Sequence, residues 1–366
     1  MSGGVGGDGV APREADIQAT PGSAGGRRQR GGRRKKGGGG DRSMVPEATF
    51  RSYYSRAIVK PAPWEADIPA YLFAGGLAAG SSLLAAGADL TGRPALRRAG
   101  RLGAIGGLSF SMAALVHDLG RPERFLNMLR VAKLTSPMSV GTWILSIYGP
   151  FAGAAAGAEV VRMLPEGSRR GPLRLAAYVD RPAGLLAGLF APPVAAYTAV
   201  LLSDTATPSW HGAYRELPFV FVGSAAAASA GFALVTAPLA ETGPARRMAV
   251  GGALLELVAE RQMERSMGIT AEPLHTGKAG RLMRASKALT AAGAVGALLA
   301  GRSRALGVLS GAALMAGSAC TRFGVFEAGQ ESARDAKYTV VPQRERLNRG
   351  EPVRYHENGT PRRSGE

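Results

Sequence analysis

Runs of small and apolar residues, broken by short clusters of arginine, acid and proline, organise this chain. From Ile68 to Ala88 no side chain is charged, and a run of that length crosses the hydrocarbon core of a bilayer as a helix. Further runs follow at Leu102 to Val116, Met138 to Ala158, Pro182 to Ser203, Leu217 to Ala240, Met248 to Val258, Ala288 to Ala300 and Leu306 to Thr321. Together they predict an all-α fold, a polytopic integral membrane bundle of about eight transmembrane helices. Gly76 and Gly80 share one face of the first run, a spacing that lets a neighbouring helix come close. Pro192-Pro193 in the fourth run predicts a kink or break in mid-membrane. The sixth run is short and carries Glu256, with Glu260 just beyond. It reads either as a membrane helix with a protein-facing carboxylate or as an amphipathic surface helix.

Composition changes this picture only at the ends. The mean hydropathy of +0.01 hides an apolar middle diluted by polar tails. Residues 1–45, centred on RRQRGGRRKKGGGG, hold too little apolar surface to fold and read as a disordered Gly/Arg-rich tail. The transmembrane domain is then 46–322, and 323–366 reads as a polar C-terminal tail lying along the surface. The net charge of +18 sits in the tails and between apolar runs. It is not interleaved with aromatics, which argues against nucleic acid and fits the flanks of membrane helices. One cysteine, Cys320, leaves no disulfide framework and no iron–sulfur ligand set.

The chemistry concentrates in residues 117–143, HDLGRPERFLNMLRVAKLTSPMSVGTW, between the second and third runs. Polar groups that dense at the end of a hydrophobic segment cost desolvation free energy unless they pair with each other, a ligand or a partner. Glu65, Asp67 and Tyr71 open the first run, His117 and Asp118 leave the second, and Tyr197, Asp204, Trp210 and His211 follow from the fourth. The alternation of helices puts all three stretches on one membrane face, where they suggest a pocket at membrane depth. An apolar pocket with a few hydrogen-bonding groups suits a lipid-soluble redox carrier such as a quinone. Quinone reduction consumes protons, so a nearby carboxylate or histidine has a reason to be there. Asp118 with Arg121 and Arg124, and Asp204 with Arg215 and His211, read as structural pairs, partner-docking contacts or proton carriers.

Taken jointly, W-x-x-x-I-x-x-YLF-x-GG-x-A-x-G, HDLGRPERF-x-NML, SPMS-x-G-x-W, YT-x-x-LLSDT-x-x-PSW and LPFVF-x-GSA resemble the NrfD/PsrC family over roughly Met44 to Gln343. The family comprises membrane subunits of polysulfide-reductase, formate-dehydrogenase and related complexes. The resemblance implies an anchor that binds menaquinone or ubiquinone in the prokaryotic plasma membrane. It exchanges electrons with an iron–sulfur subunit serving a molybdopterin catalytic subunit. It also implies that the quinone head group is held near the start of the first helix and by a tyrosine of the fourth. Tyr197 takes the second role. No His or Asn lies between Lys60 and Tyr71, so Glu65, Asp67 or Tyr71 must stand in for the first.

Membrane b-type haem needs two axial ligands, commonly His, facing each other inside the bundle. His117 and His211 sit at helix ends, His275 in a polar gap and His356 in the tail, so no haem and no metal are expected in this chain. The arginines in RPALRRAGR and between the third and fourth runs favour cytoplasmic placement of the loops after the odd-numbered helices. The reading from a different class is a small-solute transporter or channel, suggested by the proline pair and the carboxylates of the sixth run. Inverted repeats would favour it.

Overall fold

The computed structural model describes residues 57–119, 123, 127–168 and 171–350. The chain divides into two units, Met1–Ala48 and Thr49–Glu366, and the described residues fall in the second. The tail assignment for 1–45 lies outside them. In chain order the helices are α1 (Asp67–Leu90), α2 (Pro94–Asp118), α3 (Pro137–Met163), α4 (Ala176–Ser203), a short α5 (Pro208–Gly212), α6 (Leu217–Thr236), α7 (Gly243–Ser266), α8 (Gly277–Leu299), α9 (Arg304–Arg334) and α10 (Lys337–Asn348). No strand occurs among the described residues. The fold is the all-α polytopic bundle that the hydrophobic pattern predicts. Among the described residues, six helices are long and apolar enough to cross a membrane: α1, α2, α3, α4 with the turn before it, α6 and α9. α7 and α8 are comparably long, at 24 and 23 residues, but their charges keep them out of that set.

Local rules set the helix ends. Proline stands in the first turn of α2, α3, α6 and α7, where its missing N–H is no loss. Ser136 caps α3 and Ser303 caps α9 by accepting the N–H of Ser139 and Leu306. Gly92 turns α1 into α2 with φ at 67°, a left-handed conformation that a side chain disfavours. The proline pair does not interrupt α4, which runs unbroken from Ala176 to Ser203. The predicted break is therefore absent. α9 does not stop at Thr321 but continues to Arg334, because its last turns bury Val325, Phe326 and Ala328. α2 likewise starts before the apolar run, at Pro94, since the arginines of its first turns are paired inside the protein.

Glycine lets these helices touch backbone to backbone. A Cβ at Gly80 would lie 2.8 Å from the Ala225 carbonyl of α6, one at Gly107 2.9 Å from the Ala74 carbonyl of α1, and one at Gly223 2.6 Å from the Glu256 nitrogen of α7. The Gly76/Gly80 face thus meets α6. In lipid no hydrophobic effect drives helices together, so such close contact supplies the dispersion and hydrogen-bonding energy instead. The outer surface is apolar, with Phe110, Leu189, Phe219, Leu254, Val258 and Leu309 exposed. An apolar belt of that extent is what a bilayer covers.

Two polar layers flank the core. The face carrying the start of α1 and the ends of α2 and α4 is called the near face below. On the far face, Arg101 is buried and pairs with Glu159 of α3 at 3.1 Å and with Asp180 of α4. Arg97 joins them, reaching Glu159 at 3.0 Å and Asp89 at 3.2 Å. Between the faces, the buried Tyr148 hydroxyl meets Ser82 at 2.8 Å and donates to the Ala78 carbonyl at 3.0 Å.

Candidate functional site

α1, α2, α3 and α4 enclose a cavity of about 120 Å³ at the near face, lined by apolar side chains from Trp64, Ile68, Leu72, Leu115, Met138, Leu145 and Leu202. Three polar residues project into this wall: Tyr71, Thr142 and Tyr197, with Asp118 at its rim. The hydroxyls of Tyr71 and Tyr197 hydrogen-bond each other across the α1–α4 seam. Both rings are buried, at 3% and 8% exposure. The two tyrosines bring two O–H groups and their mutual bond uses one. No other hydrogen-bond partner of either hydroxyl occurs among the described residues. One phenolic hydrogen is therefore left to donate to an acceptor in the cavity.

The surrounding sequence positions this pair. A Cβ at Gly141 would come within 2.5 Å of the Tyr197 ring, so α3 needs a glycine there for the ring to lie flat against it. Thr142 donates back to the Met138 carbonyl at 2.9 Å, which satisfies its hydroxyl within α3. Ser111 of α2 donates to the Tyr71 carbonyl at 3.2 Å, fixing the depth of α1 against α2. Trp64 closes the top of the cavity. Its ring stacks on Trp210 with centroids 5.8 Å apart, and its carbonyl, with that of Ala62, accepts from Gln330 of α9.

The remaining residues singled out in the sequence are spread around the same face. Asp67 pairs with His117 at 2.7 Å, at the rim and not in the cavity; the His117 side chain is 81% exposed. Glu65 is exposed, and its carbonyl accepts the Ile68 N–H at 3.3 Å. Asp118 is half-buried, close to Asp67, Glu65 and His117. Asp204 and His211 are exposed; the His211 ring lies 3.1 Å from the Ser203 carbonyl. Arg215 turns away from Asp204 and donates to the Tyr214 hydroxyl at 2.7 Å. Arg121 and Arg124 lie outside the described residues. Trp210 is not a cavity residue. It is a buried peg, stacked on Trp64 and tilted against Phe326, whose ring N–H donates to the Val325 carbonyl at 2.8 Å. Gly141, Thr142 and Trp64 were missed as site residues, although SPMS-x-G-x-W had singled out the stretch holding the first two.

An apolar-surfaced bundle with a small, mostly apolar cavity between its first four long helices defines a multi-pass membrane protein with a candidate ligand site. The family model described as polysulphide reductase NrfD matches residues 56–251, more than half of the chain. The protein therefore belongs to the NrfD family, whose members are membrane subunits of oxidoreductases. Comparison with curated proteins gives no match.

Proposed function

We propose that this chain is the quinone-reactive membrane subunit of an oxidoreductase complex in the prokaryotic plasma membrane. The observation that carries the reading is the Tyr71–Tyr197 pair, with one hydrogen left to donate, in the wall of an otherwise apolar cavity. A quinone head group presents carbonyl acceptors on a flat apolar ring, and these residues suit both features. When bound, it supplies the redox couple that electrons enter or leave. Tyr71 and Tyr197 hold and orient one carbonyl, while Trp64, Leu72, Leu145 and Leu202 exclude water. Asp118 at the rim, and the Asp67–His117 pair beyond it, stand where protons enter from the near face.

The same reading gives the partners. Among the described residues no group of three or more His, Cys, Asp or Glu is placed to hold a metal, and the family consists of subunits. Electrons then come from an iron–sulfur subunit docked on the near face beside the cavity, which serves a molybdopterin catalytic subunit of formate-dehydrogenase or sulfur-reductase type. The arginines of the far face favour the cytoplasmic side for it.

Tyr197→Phe in the intact complex tests the assignment. Losing one hydrogen bond of about 0.5–1.5 kcal/mol should lower quinone-linked turnover roughly 2- to 10-fold while the complex still assembles. Turnover equal to that of the unmodified complex would remove Tyr197 from the site.

A further inference from the structure

A second polar assembly lies in the other half of the bundle, C-terminal to residues 56–251 that the family model covers. Glu256 and Glu260 stand one turn apart on α7, at 1% and 0% exposure. Their apolar neighbours Leu254 and Val258 point outward. The carboxylates thus face the protein, and α7 is polar inside and apolar outside.

The groups around them come from every helix packed on that side. From α9, Thr321 donates to the Glu256 carboxylate at 2.6 Å, and Ser286 of α8 meets Thr321 at 2.6 Å. Ser224 of α6, bonded to Ser318 at 2.8 Å, faces the same carboxylate, as does Thr290 of α8. Glu260 faces Lys287 of α8 at 3.5 Å, and Lys287 reaches Glu264 at 2.7 Å, nearer the near face. Arg322 lies close enough to Glu256 to feel its charge. Yet it donates to the Phe221 carbonyl at 2.7 Å and stacks on that ring instead of pairing with the acid.

Two features show that this is more than a packed core. The Glu256 Oε2, both Glu260 oxygens, the Thr290 hydroxyl and the Nε and Nη1 of Arg322 are buried without a hydrogen-bond partner. Native proteins leave few such atoms, and each asks for a reason. The charges also do not balance. Glu256, Glu260 and Glu264 bring three carboxylates to two cations, Lys287 and Arg322. One added proton makes the assembly neutral and gives the orphaned oxygens a hydrogen to share.

We propose that Glu256 and Glu260 form a proton-binding site inside the membrane, holding one exchangeable proton that enters and leaves through Glu264 and Lys287 at the near face. The proton comes from bulk water and returns to it, so no further reactant is consumed. Arg322 is the fixed counter-charge at the inner end, and Thr290 and Thr321 supply hydroxyls along the route. The site stands on this geometry alone and does not depend on what occupies the tyrosine-lined cavity.

Infrared spectroscopy of the full chain in lipid nanodiscs, in ordinary and heavy water, tests it directly. At neutral pH the unmodified protein should show the carbonyl stretch of a protonated carboxylic acid, shifted by deuterium exchange and insensitive to sodium. Glu256→Gln and Glu260→Gln should each abolish or strongly reduce the band. Lys287→Met, which removes a cation from the count, should enlarge it at the same pH. This gain does not require a carboxylate variant to fold. Absence of the band from the unmodified protein would overturn the proposal. So would a band unchanged in both Gln variants, or one that responds to sodium in place of protons.

Discussion

Tyr197 shows how much a single residue depends on its neighbours. Its ring lies against a glycine of α3, and among the described residues its hydroxyl has one partner, Tyr71. Gly141→Ala would put a methyl group 2.5 Å from the ring carbons, an overlap that α3 or the ring must relieve by shifting. Overpacking of this kind costs about 1–3 kcal/mol. We expect a correspondingly lower midpoint of thermal unfolding in detergent and a loss of quinone-linked turnover at least as large as that of Tyr197→Phe. Wild-type behaviour in both would mean that the ring is not held where it is described. The sequence pointed to Tyr197 through YT-x-x-LLS but left Glu65, Asp67 and Tyr71 open as its counterpart. All three lie within two turns, and only the rotation of α1 against α4 separates a rim position from a wall position. Periodicity within one helix carries no information about that rotation.

The helices themselves were legible for a simple reason: a bilayer demands long uncharged runs, and few other structures tolerate them. Their ends were not. Charged residues were read as membrane flanks, whereas Arg97, Arg101, Glu159 and Asp180 are drawn into one buried ion-pair layer that extends α2, α3 and α4 past the apolar runs. Breaking such a layer from one side costs more than removing it whole, because the abandoned charge stays buried. Arg101→Met is therefore expected to destabilise the bundle by about 3–5 kcal/mol. Adding Asp180→Asn to it should recover part of that loss. Chemical denaturation of both variants in the same detergent checks the order, and equal stability would show that the pair does not act as a unit.

At the scale of the whole molecule, the least legible feature was the participation of the C-terminal segment. Residues 323–334 look polar when counted together, yet Val325 and Phe326 face Trp210, and Gln330 reaches back to the backbone before α1. Long-range contacts of this kind leave no trace in local pattern. Trp210→Ala should cost about 3–5 kcal/mol, as for other large aromatic truncations in a core, and should loosen Trp64 over the cavity as well. Limited chymotryptic cleavage after Trp64, faster in the variant than in the unmodified protein, would report that loosening; equal rates would argue that Trp64 is held by something else. Shortening the chain to end at Thr321 should be more severe and leave little folded protein in the membrane.

The grip of Gln330 and Trp210 on Trp64 also sets a timetable. A ribosome delivers Trp64 early and Gln330 last among these contacts, so for most of synthesis the lid residue has nothing to rest on. The cavity is finished only when the final long helix is inserted and folds back on the first. A polypeptide stalled or clipped midway would carry α1 to α4 in full and still lack a closed site. Every unfinished copy thereby lacks the contacts that hold Trp64 over the cavity, and the last long helix acts as the molecule's certificate of completion.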